Sequence, residues 1–149
     1  MSVVYTDQEF NKIKEEMYRR KVRKTLEKVF AIYNDKRDLL LDDIVSKMVS
    51  SKFDPQPKAP GYSKKLENLT IEHASAEEFV GLVDKLLSEL DERSYDIIEL
   101  VYIDGTASNK EIYEEILDMS ERNYYKQKWL AEKKIYKKIL LNYQKLKSF

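Results

Sequence analysis

The chain's 149 residues carry 27 basic and 27 acidic side chains, a formally neutral balance in which 36% of residues are charged and 42% hydrophobic. The absence of cysteine excludes disulfides, thiolate metal sites and thiol catalysis. No apolar run approaches the roughly 18 residues of a membrane span, and no signal-peptide core is present. With few glycines and prolines and abundant Leu, Ile, Lys and Glu, the expectation is an all-α, cytoplasmic protein with no membrane partner.

Thr6, followed three places on by Glu9, forms a capping box that opens an amphipathic helix over 6–33. Phe10, Ile13 and Met17 make one apolar stripe; Val22, Leu26, Val29, Phe30 and Tyr33 make a second. The polar run Asn34-Asp35-Lys36-Arg37 interrupts the pattern, which resumes over 38–50 with Leu39, Leu40, Ile44, Val45 and Met48. The pair reads as an N-terminal helical hairpin, domain 1–50, suited to assembly or partner contact. Residues 51–63, with Pro55, Pro57 and Pro60-Gly61, read as an extended linker and a domain boundary.

The second domain, 64–149, begins with weak helical periodicity to His73. The periodicity strengthens after Ser75, whose capping box with Glu78 precedes Phe79, Val80, Val83, Leu86, Leu87 and Leu90. Asp91 caps the next helix, faced by Ile97, Ile98, Val101 and Tyr102 and stopped at Asp104-Gly105. Ser108 and Glu111 introduce a short helix with Ile112, Ile116 and Leu117. Asp118-Met119-Ser120 makes a tight connection, and Ser120 caps a last helix running almost to Phe149. That helix has two stripes, Tyr136, Leu140 and Tyr143 against Ile135, Ile139 and Leu146, more than one small domain needs.

Charge is distributed in blocks. Eight basic residues lie from Lys12 to Lys28, thirteen acidic ones from Glu77 to Asp118, and nine basic ones from Arg122 to Lys147 against Glu121 and Glu132 alone. Segregation of this kind in a neutral chain fits a nucleic-acid face backed by an acidic one. The fold expected is therefore an N-terminal hairpin plus a C-terminal helix-turn-helix domain with a long basic last helix.

Leu90-Asp91-Glu92-Arg93 and Ile97-Ile98-Glu99-Leu100-Val101-Tyr102 resemble the opening helix of the fourth region of bacterial sigma factors, and Glu111-Ile112 with Leu117-Asp118-Met119-Ser120 resembles its helix-turn-helix core. The chain departs from sigma factors at Tyr113, where a small residue is usual, and in a Glu-to-Ser interval longer by one. More closely, Ser120-Glu121-Arg122-Asn123-Tyr124-Tyr125-Lys126, Ala131 and the Pro-rich segment ending Pro60-Gly61-Tyr62-Ser63 resemble the ArpU group of phage transcriptional regulators, related to the RinA type. The resemblance covers 54–138 and implies a sequence-specific regulator of phage or prophage late genes acting on double-stranded DNA.

In such a motif Ser120, Glu121, Arg122 and Asn123 occupy the first turn, where base edges are met. Arg122 suits guanine and Asn123 adenine. Lys126, Lys128 and Lys133 suit phosphates, which supply affinity without sequence information. Tyr125 and Trp129 read as core; Tyr124 is either a DNA contact or a packed side chain. The spare stripe of the last helix would be covered either within the chain, by the N-terminal hairpin, or by a second subunit in a homodimer, and RNA polymerase is a partner the hairpin would meet. No cofactor is expected, since His73 lacks metal-ligating company and neighbouring acids such as Glu114-Glu115 point in different directions on a helix; the protein is not read as an enzyme. A helical protein-interaction module and the DNA-recognition subunit of a phage packaging machine are the rival readings.

Overall fold

A helix continues until something stops it, and no glycine or proline lies between Thr6 and Ser50. In the computed structural model, which describes residues 6–50 and 62–149 and the side chains of 6–42 and 70–149, that whole stretch is one helix, α1 (Asp7–Ser50). Its start is the expected capping box: the Thr6 N–H donates to Glu9 Oε2 at 2.8 Å and the Glu9 N–H to Thr6 Oγ1 at 3.3 Å. The expected hairpin is absent. Asn34 does not break the helix because its side chain serves neighbours, Nδ2 donating to the carbonyls of Tyr102 and Ile103 at 3.3 Å each. Lys36 and Arg37 lie over the rings of Phe79 and Tyr33, at 5.4 and 5.3 Å from the centroids.

The proposed linker falls largely on residues 51–61, outside those described, and helix α2 (Tyr62–Ser88) then passes through Ser75 without a start there. Ser75 instead donates its hydroxyl to the Phe149 carbonyl at 2.8 Å. Helix α3 (Glu92–Ile98) is capped by Asp91, which accepts the Ser94 N–H at 3.2 Å, and widens into π-helical turns over Glu99–Asp104. Gly105 ends it with φ 67°, a left-handed conformation open to glycine at no steric cost, and returns its N–H to Leu100 O. Helix α4 (Asn109–Glu111), capped by Ser108, likewise widens over Ile112–Ile116. Helix α5 (Glu121–Leu141), capped by Ser120, ends one residue before a short α6 (Tyr143–Lys147).

All the regular structure described is helical. The main core joins Val22, Leu26, Phe30 and Tyr33 of α1, Phe79, Val83, Leu86 and Leu87 of α2, and Ala131, Ile135, Tyr136 and Ile139 of α5. A smaller cluster of Ile97, Ile112 and Tyr124, flanked by Leu100, Val101, Tyr113, Leu117 and Met119, binds α3 and α4 to the beginning of α5. Of the two α1 stripes, only the second enters the core; Ile13 and Met17 are 43% and 64% exposed. Among the described residues no helix is long and apolar enough to cross a membrane.

Candidate nucleic-acid interface

The segment from α4 to α5 places a short helix, a tight turn and a long helix in succession. The turn is closed by backbone bonds from Leu117 N–H to Ile112 O at 2.8 Å and Met119 N–H to Tyr113 O at 2.7 Å. Asp118 takes φ 50°, a left-handed geometry that short polar side chains tolerate best after glycine. Ser120 Oγ then accepts the Asn123 N–H at 3.2 Å. The caps at Ser108 and Ser120 fall where the sequence predicts them, because each side chain answers an orphan backbone amide.

At about 100° per residue, Arg122, Lys126, Trp129, Lys133 and Lys137 fall on one side of α5, opposite Tyr124, Ala131, Ile135 and Ile139. Ser120, Glu121, Arg122, Asn123, Lys126 and Lys137 are exposed. Among the described residues, Arg122, Lys126 and Lys137 form no ion pair with an acid of the chain. The adjacent flank is different. Lys134 Nζ donates to Asp91 Oδ1 and Lys138 Nζ to Glu89 Oε2, each at 2.8 Å. Those hydrogen bonds, Lys134's foremost for Asp91 and Lys138's for Glu89, hold both carboxyls below their ordinary range.

Two expected contacts lie elsewhere. Tyr124 is fully buried, and its hydroxyl donates to Asn109 Oδ1 at 2.8 Å. Its ring meets those of Tyr113 and Tyr125 at 5.6 and 5.2 Å between centroids. Burial, reinforced by Tyr125 and Glu132, pushes its phenol up to about 12. Tyr124 is thus a core residue with no face for a base, whereas Tyr125, expected inside, is 43% exposed. Lys128 stands roughly 160° round the helix from Lys126, on the core side. Burial lowers its ammonium pKa, with Glu132 opposing that shift, so a phosphate on the Lys126 side is out of its register.

Beneath Lys128 lies Glu132, fully buried. Its Oε2 accepts the Tyr102 hydroxyl and stands 3.9 Å from Arg23 Nε, while Oε1 has no hydrogen-bond partner. Burial, with Glu132 next, raises the Tyr102 phenol far above its ordinary value. On the outer side, Lys133 Nζ lies 5.4 Å and Arg19 Cζ 4.8 Å from the Trp129 ring centroid. Tyr18 meets the same ring edge-on at 5.8 Å. Trp129 is therefore half-buried between α1 and the cationic face.

Arg93 was not legible as part of this surface, because in sequence it is one of three scattered cations, with Lys85 and Lys110, within the acidic block. In the fold its guanidinium reaches Met119 Sδ at 3.2 Å. With Asp118, Ser120, Asn123 and Gln127 it lines a surface cleft of about 420 Å³ beside the start of α5. Glu111, Glu114 and Glu115, in and just after α4, are also exposed. No protein-family model matches the chain, and no curated protein or solved structure was found to match it.

Proposed function

We propose that the protein binds duplex DNA sequence-specifically, with the start of α5 in the major groove, and thereby regulates late genes of a phage or prophage. The observation that carries the DNA reading is the partition of cations on α5. Lys134 and Lys138 are consumed by Asp91 and Glu89, while Arg122, Lys126 and Lys137 are left unpaired by the described acids on one exposed face. On this reading Arg122 and Asn123, in the first turn, read base edges, and Lys126 and Lys133 meet phosphates. The phage setting rests on the resemblance of Ser120–Lys126 and the Pro-rich segment to the ArpU group.

Selection of bound duplexes from a random DNA pool tests this directly, with an Arg122→Glu/Lys126→Glu variant as control. Both side chains are exposed, so the control keeps its fold. A reproducible motif that the control loses is the expected result; no enrichment by the wild-type protein overturns the reading.

A second reading has its own observation. Val29, Ile32, Phe79, Tyr136, Leu140 and Tyr143 line an apolar groove of about 390 Å³, with Leu140 and Tyr143 each 51% exposed. Such a groove suits a helix of a protein partner, either an RNA polymerase subunit or a second copy of this chain. Mass measurement in solution tests the second copy: a dimer supports it, a monomer leaves the groove to another protein, and a ring-like oligomer supports the rival packaging role.

A further inference from the structure

We infer that α1 contributes a DNA-backbone contact, in which Arg19 joins Lys133 beside the Trp129 ring to meet the phosphates of one strand. The inference rests on the DNA reading above and extends it to a helix that sequence analysis assigned to assembly. Arg19 and Lys133 belong to helices far apart in sequence, yet both cations lie against one indole. Trp129 is held in place by the edge of Tyr18, so the pair stands on a fixed platform. Two like charges brought to one ring repel each other, and the negative potential of a DNA strand passing alongside Trp129 relieves that repulsion.

Arg19 already has an acid, Glu15, four residues back at 2.9 Å. Both side chains are 40% exposed or more, and pairs of this type are weak and screened by salt. A backbone phosphodiester offers the guanidinium two oxygens in the matching fork geometry, and its neighbours along the duplex add a field that a lone carboxylate lacks.

Placement also selects phosphate over base. Lys133 is eleven residues beyond Arg122 on α5, about 16 Å along the axis at 1.5 Å per residue. The major groove is about 12 Å wide. Where the axis of α5 runs out of the groove from Arg122 at the base edges, that distance carries Lys133, and Arg19 beside the same ring, to the sugar-phosphate strand at the border.

The test measures duplex affinity of the full chain over a range of salt concentrations, on the selected sequence and on an unrelated one. Arg19→Ala is expected to reduce the slope of log affinity against log salt by about one while leaving the preferred sequence unchanged. Arg19→Lys is expected to keep the slope, and Lys24→Ala, on the α1 face away from Val22 and Leu26, to leave it unaltered. Partial unfolding of a variant would lower apparent affinity at every salt concentration without changing the slope. A wild-type slope in Arg19→Ala overturns the inference and leaves the DNA reading standing. Failure of the wild-type chain to bind any duplex removes both.

Discussion

Glu132 is the residue on which sequence logic and packing diverge most. A fully buried carboxylate is unfavourable unless its oxygens are answered, and here Oε2 is served by Tyr102 and the more distant Arg23 while Oε1 is not. Removing the acceptor by Glu132→Ala leaves the Tyr102 hydroxyl without its partner, and the expected loss is about 1–3 kcal/mol in urea unfolding. Glu132→Gln keeps an acceptor for that hydroxyl, so it should lose less; an equal loss would show that the carboxylate charge, not the hydrogen bond, is what matters. Tyr124 gives a second test at this scale. Tyr124→Phe should lower stability by about 1 kcal/mol through its bond to Asn109, yet leave the DNA sequence preference intact. A changed preference would return Tyr124 to the interface.

The helix elements explain which parts of the chain were legible. Caps at Thr6, Asp91, Ser108 and Ser120 and the stop at Gly105 could be read because they are local, each settled by one side chain and the adjoining backbone. The continuity of α1 was not legible. Polar residues at 34–37 imitate a loop only while Tyr102, Ile103, Phe79 and Tyr33 are unseen. This has a direct consequence: Asp35→Pro, tolerable in a hairpin turn, should lower stability by about 3 kcal/mol within a continuous helix, measured by urea unfolding. A near-neutral result would restore the hairpin. The core stripe of α5 was disguised in a similar way. Tyr124, Ala131, Ile135 and Ile139 form it, but Lys128 occupies the same register and Glu132 adjoins it. That left Tyr125 and Trp129 as the more apolar-looking pair, of which Trp129 does pack against the main core and Tyr125 does not. Arg93 joined the turn of the candidate site through tertiary packing alone, which no periodicity encodes.

Across the whole molecule, three tyrosine hydroxyls tie helices together. Tyr33 of α1 donates to Asp84 of α2, Tyr102 after α3 to Glu132 of α5, and Tyr124 of α5 to Asn109 of α4. Burial is the leading reason that all three hold their protons more tightly than an ordinary phenol of pKa about 10, Tyr124 up to about 12 and the others higher. In the unfolded chain the same phenols ionise near their ordinary value. As pH rises past it, the folded state binds more protons than the unfolded one, and stability falls. Whatever these groups contribute is therefore intact below pH about 10 and lost as pH climbs through their folded values. The expected behaviour is cooperative loss of helical circular dichroism in alkali, coincident with a late step in phenolate absorbance after the exposed tyrosines have titrated. Tyr124→Phe isolates one share of it. The variant forfeits a hydrogen bond of about 1 kcal/mol at neutral pH but carries no ionisable group there. Its deficit should therefore close near pH about 11 and reverse above that. Parallel stability curves for the two proteins across that range would mean that Tyr124 ionises as freely folded as unfolded, contrary to its buried position in the α4–α5 cluster.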